Sequence, residues 1–332
     1  MTFLTRSILQ TSLLLLGFTL PLSLQISLPG SRSAALAQPA SDAMRAATIK
    51  AFTTYRKDKV EIEGNKQRST SEQLAARRDT LMLIDRKGIA PELKEFFDLL
   101  LTEWDKSIEV YTQLEREDQN LSNSLSMLPG SNDFLTNTFV QTMFNRPIAQ
   151  SANNAFAQRW LPSLYSIQSE STLRQLKLLN QLSQKYEYPF LDAVYGRVPA
   201  QDVACNSRAT TTTLDIPGNS NQAIASVQVC KGDYISFLAK GSVLLGKWVG
   251  ASGPAGQSDG GTMYNKVSAF PFGALLVQVG EGKWAMGGYT NSFFAENSGT
   301  INFLINDGKT SDNRGAYQVD VTVYPRTSFM GR

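Results

Sequence analysis

The residues best placed to do chemistry lie near the end of the chain, in INDGKTSDNRGAYQV at 305–319. Asp307, Asp312 and Asn313 put oxygen-bearing side chains into one short segment, with Gly308 and Gly315 beside them. Donors of this kind suit a hard cation, since calcium takes about six to eight oxygens from carboxylates, amides, backbone carbonyls and water. Asp307 and Asp312 would offset its charge, Asn313 would add an amide oxygen, and loop carbonyls would fill the shell. The spacing is not that of an EF-hand, whose Asx pattern and late glutamate are absent. A plainer reading stands beside this one. Asp, Asn and Gly tolerate the left-handed backbone and form Asx-turns, so the same residues would also serve a hairpin turn.

Composition excludes most other chemistry. The 332 residues include no histidine, which removes the commonest general base, the usual triad member and the usual zinc ligand. The only cysteines, Cys205 and Cys230, are too few for a four-thiolate site. Gly256-Gln257-Ser258-Asp259-Gly260 has the letters of a Gly-x-Ser-x-Gly elbow, but the chain has no histidine to complete a triad, and no P-loop occurs. A glycosidase would need only a pair of carboxylates, but no acidic pair stands out by its context, and the chain reads as a non-enzyme. With 32 basic and 29 acidic residues the formal charge is +3, and the signs are nearly balanced on either side of residue 200. No basic face is concentrated enough to track phosphates, which argues against nucleic acid.

A cation loop needs strands to hold its ends. Before it, Ile301, Phe303 and Ile305 alternate with Asn302, Leu304 and Asn306; after it, Val319, Val321 and Val323 alternate with Gln318, Asp320 and Thr322. Similar runs recur upstream, in SVQVCKGDYISFLAKG and GALLVQVGEGKWAMGGY, between Gly-rich turns. This pattern predicts an antiparallel β-sandwich over 198–332, with the Asx loop at one end.

Residues 38–197 have a helical period instead. Ser69-Thr70-Ser71-Glu72-Gln73 carries overlapping capping-box signals, with Gly88 as the stop. Pro91 opens a long helix on which Phe97, Leu101, Trp104, Ile108, Tyr111 and Leu114 share a face. PGSN at 129–132 breaks the chain, Asp133 can cap FLTNTFVQTMFN, and a last helix from Ser171 carries Leu173, Leu176, Leu179, Leu182 and Tyr186. These stripes predict a bundle core, and the Asp and Glu residues between them read as solvated faces. The expected fold class is α + β multidomain: an N-terminal α-helical bundle, then an antiparallel β-sandwich, each with its own core.

At the N-terminus, Arg6 precedes a mostly apolar run from Ile8, and Ala35-Leu36-Ala37 fits the small-x-small cleavage pattern. Residues 1–37 are therefore expected to be a secretory signal, leaving Gln38 as the mature start. An uncleaved anchor is the alternative. No other stretch is apolar enough to span a membrane, so a periplasmic, cell-surface or extracellular location is expected. Export would permit a disulfide between Cys205 and Cys230, with two buried thiols as the alternative.

Residues 207–325 resemble the calcium-dependent galactophilic lectins of bacteria, the PA-IL or LecA-like family. CKGDYISFLAKG resembles that family's Gly-Asp-led strand, GKWVGASGP its Lys-Trp loop, AFPFGALLVQVG its Phe-x-Gly-Ala-Leu strand, and Ile305 to Val319 its calcium loop and final strand. The helical half has no counterpart there. The resemblance implies a calcium ion held by Asp307 as the opening aspartate and by Asp312 and Asn313 as the later Asx pair. Backbone carbonyls at Thr310 and near Leu245 would add to the shell, and hydroxyls of a galactose-type glycan would complete it. Two departures stand out. The loop is shorter than the family's between its opening aspartate and late glycine. The family also holds the sugar's primary hydroxyl with a histidine and a glutamine, and this chain has no histidine.

Gln257 and Asp259, in ASGPAGQSDGGTMYN, are the candidates to stand in. Trp248, Tyr264, Trp284 and Tyr289 could present an aromatic face to a sugar ring; Trp284 reads as core, and Trp248, in a loop, is the better contact. The expected function is an exported, calcium-bridged carbohydrate-binding protein. The alternative is a structural or protein-binding envelope component whose sandwich has lost sugar binding. A homo-oligomer would add avidity, although no residue marks one.

Overall fold

In the computed structural model the described residues are 42–64, 69–126, 146–200, 205–257 and 262–331. The expected signal segment, the PGSN break, the helix expected after Asp133, and Asp259 lie outside them.

The N-terminal half is helical: α1 (Asp42–Gly64), α2 (Thr70–Leu83), α3 (Pro91–Ser126), α4 (Arg146–Tyr186) and the short α5 (Phe190–Tyr195). Ser69 caps α2. Its hydroxyl accepts the Glu72 N–H, and the Glu72 carboxylate accepts the Ser69 N–H at 2.8 Å, closing the capping box. Helix α4 begins well before the expected Ser171 and runs through Pro162. Proline removes one backbone donor from the ladder, so the residue that marks a break in the sequence is here carried inside a helix.

On α3 the buried positions include Phe96, Leu100, Glu103, Ser107, Tyr111 and Leu114. Glu103 corrects the expectation that acidic residues of this half are solvated: it is 8% exposed. The reason is its place on the apolar stripe, facing donors on α4. Ser171 donates to Glu103 Oε2 at 2.9 Å and Gln175 donates to the same oxygen at 2.8 Å.

The C-terminal half holds two antiparallel sheets. In sheet A, β1 (Thr210–Pro217) pairs with β9 (Arg314–Tyr324), which pairs with β3 (Tyr234–Leu244). The other edge of β3 is shared by β4 (Ala251–Ser252) and β7 (Thr290–Phe294). Sheet B has the order β2 (Ile224–Val229), β8 (Gly299–Ile305), β5 (Leu275–Val279), β6 (Ala285–Met286). Ile235, Phe237, Val319 and Val321 of sheet A meet Val277, Ile301 and Phe303 of sheet B in one apolar cluster. Phe237 and Phe303 lie edge to face at 5.3 Å.

The outer face of sheet A is covered too. Tyr234, Leu238, Tyr289 and Phe294 belong to the same apolar cluster as the helices, so the bundle core continues onto the sheet. One turn of helix, α6 (Gly246–Val249), follows β3, and α7 (Arg326–Met330) follows β9 near the end of the described chain. Asn180 of α4 donates to the carbonyls of Phe329 and Met330, tying α7 to the bundle. Cys205 and Cys230 are joined by a disulfide, with Cα atoms 5.6 Å apart. Among the described residues no helix is long and apolar enough to cross a membrane.

Candidate cation site at the rim of the sandwich

The segment 306–313 is not a hairpin turn. It leaves β8 in sheet B and enters β9 in sheet A, so it crosses between the sheets at their rim. Asn306 anchors its start and is fully buried. Its amide nitrogen donates to the carbonyls of Val267, Phe270 and Pro271, and its oxygen accepts the Val267 N–H at 2.9 Å. Gly308 donates its N–H to the Tyr264 carbonyl at 2.5 Å. A Cβ on Gly308 would stand 2.9 Å from that oxygen, so the close approach needs glycine.

Strand register supplies the other wall. Val243 faces Gly315 and Leu244 faces Arg314, which brings the end of β3 alongside the end of the loop. Gly246, with φ +75°, comes next to Asp312: a Cβ there would lie 2.9 Å from Asp312 Oδ2. The structure thus sets the Leu245–Gly246 backbone against the Asp312 carboxylate.

Asp307 is 2% exposed. Its Oδ1 accepts the Lys309 N–H and its Oδ2 accepts the Asn313 side-chain amide, both at 2.8 Å. The Asn313 nitrogen also donates to the Gly218 carbonyl at 3.1 Å. Asn313 Oδ1 is buried and has no hydrogen-bond partner among the described residues. The carbonyl of Thr310, itself buried, accepts the Asn313 N–H at 3.1 Å and closes the one-turn 3-10 helix Thr310–Asp312, while Asp312 is exposed.

Close by, Lys266 donates to the Asn221 carbonyl at 2.7 Å. Burial holds its ammonium below the ordinary lysine value, and the charge of Asp307 works against that shift.

A buried acceptor without a partner costs about 1–3 kcal/mol, and a buried carboxylate needs compensation as well. Asp307 already accepts hydrogen bonds at both oxygens, so the Asn313 oxygen is the acceptor that a hard cation would satisfy, and oxygen donors of this type are those calcium takes. Among the described residues no three or more His, Cys, Asp or Glu side chains group to hold a metal. An ion at the rim would therefore depend on amide and carbonyl oxygens beside its two carboxylates.

The remaining candidates divide. Gln257 is buried, and its amide nitrogen donates to the Ala251 carbonyl at 3.1 Å, bracing the turn around β4. Trp248 lies on α6, in the segment that flanks Asp312. Trp284 packs partly buried against Ala274, Leu276 and Leu304. Tyr289 is buried in the cluster shared with the helices, which removes it as a sugar contact. Tyr264 is 48% exposed, and its carbonyl holds the loop at Gly308. Sequence reasoning missed Asn306 and Lys266. The signal for Asn306 was the polar residue closing an apolar strand just before Asp307; nothing in the sequence near Lys266 ties it to Asp307.

No protein-family model matches the chain, and no curated protein matches it. Among solved structures it is similar to one described as "EclA N-terminal domain; PllA-like lectin", at 18% identity and a TM-score of 0.25, over 33% of this chain and 94% of that one. At that identity and score the likeness carries no argument about function.

Proposed function

We propose that this is an exported, non-catalytic, lectin-like protein in which a calcium ion at the sandwich rim bridges to sugar hydroxyls. The observation that carries the reading is Asn313 Oδ1, a buried acceptor without a hydrogen-bond partner among the described residues, on the side chain whose amide nitrogen donates to the buried Asp307 carboxylate. Asp307, Asp312 and Asn313 would hold the ion with the carbonyls of Thr310 and Leu245. A carbonyl has two lone pairs, so Thr310 can accept the Asn313 N–H and still serve. Bound calcium would supply the countercharge and leave positions open to a pair of hydroxyls. Only two carboxylates take part, which points to a modest affinity, Kd on the order of 10⁻⁴ M.

Gln257 is engaged in the fold, and no histidine is present. Tyr264, half exposed and bonded to the ion loop, is the aromatic we assign to the apolar side of the sugar ring. Export is supported by the signal-like N-terminus and by the disulfide, which suits an oxidising compartment. The test is a glycan array probed with and without chelator. Galactose-type glycans bound only in the presence of calcium support the reading, and no glycan bound at millimolar calcium refutes it.

One observation favours a second reading, a structural or protein-binding envelope component. The Asn313 amide bridges Asp307 and Gly218, as a self-contained loop brace would. In that case calcium neither binds nor stabilises the protein.

A further inference from the structure

The helices meet the outer face of sheet A around a cavity of about 80 Å³. One water needs roughly 10–15 Å³ on such a scale, so the space admits a molecule of about five non-hydrogen atoms. Lys59 of α1, Arg77 of α2 and Glu103 of α3 line it, and all three are buried. Burying charges is costly, and apolar residues of similar size would serve stability as well or better. Elsewhere along the helices Leu238, Phe294 and Phe329 join their apolar cluster, and a buried polar residue there, Asn180, is neutral and bonded to the Phe329 carbonyl. Cavities between structural layers are where small ligands are held, and this one gathers charged groups of both signs, with the Lys59 charge acting on Glu103.

The walls are already organised. Ser171 and Gln175 fix Glu103 through its Oε2, and the Tyr195 hydroxyl donates to Gln175 Oε1 at 2.7 Å. From the sheet side, Ser236 and Ser292 stand opposite each other in the pairing of β3 with β7, and both line the cavity. The lining thus combines two cations, one carboxylate and hydroxyls with the apolar Leu100, Trp104 and Val194.

We propose that this cavity is a second binding site, for a small carboxylic acid that also carries an amino or hydroxyl group. Its carboxylate would face Lys59 and Arg77, and its donor would face Glu103. Burial pushes Glu103 up to about 7, and a donor arriving from a ligand would favour its charged form. The site is separate from the rim, and nothing in it depends on calcium.

The experiment is titration calorimetry of the full chain with glycine and with glycolate, using acetate as the acid that lacks the donor. Glycine or glycolate should bind once per chain and about tenfold more tightly than acetate. Ser292→Leu, which fills the cavity from the sheet side, should abolish binding. If that variant fails to fold, Glu103→Gln keeps the shape and should weaken binding about tenfold. No heat from either acid, acetate binding as tightly, or affinity unchanged in the folded variant overturns the proposal.

Discussion

On the inner face of β3, Ile235, Phe237 and Ala239 join an apolar cluster with residues of sheet B and β9. On its outer face Tyr234, Ser236 and Leu238 meet helices that bring Lys59, Arg77 and Glu103 to the same seam. Both faces are buried, yet they are built from different chemistry. The inner face is what a β-sandwich needs to stay folded. The outer one keeps polar groups that packing alone does not require, and such groups mark where binding or titration can be added to a stable frame.

The largest effect should come from the inner face. Phe237→Ala removes a ring packed edge to face on Phe303 and should cost about 3–5 kcal/mol, read from denaturant unfolding. A loss under ~1 kcal/mol would mean the two faces are less different than their chemistry indicates.

Glu103 should give the next largest effect, visible only as pH changes. Burial raises its carboxyl from 4.5 to about 7, while Ser171, Gln175 and the Lys59 charge oppose the shift. The folded protein therefore keeps a proton that the unfolded chain releases near pH 4.5. The stability this provides is complete below pH 4.5 and is lost as pH rises to about 7. Glu103→Gln should abolish that loss, making the variant more stable than the parent at pH 8 by about 3 kcal/mol, with a smaller difference at pH 5. Parallel unfolding curves at the two pH values would contradict it.

The smallest effect distinguishes the faces within one strand. Ser236→Ala at the cavity should change stability by no more than about 0.5 kcal/mol, since the small side chain borders a cavity and is not close-packed there. A cost comparable to that of Phe237→Ala would show that the outer face is a packed core after all.

The same contrast explains what the sequence revealed. Val319, Val321 and Val323 alternate cleanly because β9 buries that face fully and the other only in part. Tyr234 to Ala239 is buried on both faces, so alternation could identify a strand there but not the helices that cover it. Glu103 occupies a stripe position between Leu100 and Ser107, but a charged residue type outweighs position in such a reading, and its partners Ser171 and Gln175 come from another helix. At the rim, Asp307, Asp312 and Asn313 were visible by residue type and spacing. Their frame was not: Asn306 is held by Val267, Phe270 and Pro271, and Asn313 by Gly218, contacts that only the sheet-to-sheet crossing creates. Gln257 looked like a free amide because its bond to Ala251 closes within a turn that carries no pattern of its own.

The most direct measurement is calorimetric titration of calcium into the protein and into its Asp307→Ala variant, with circular dichroism to confirm that both are folded. The proposed oxygen site predicts one calcium per parent chain at a Kd on the order of 10⁻⁴ M, and no heat from the variant. A parent that takes up no calcium at millimolar concentration, or a variant that binds it unchanged, would contradict the account.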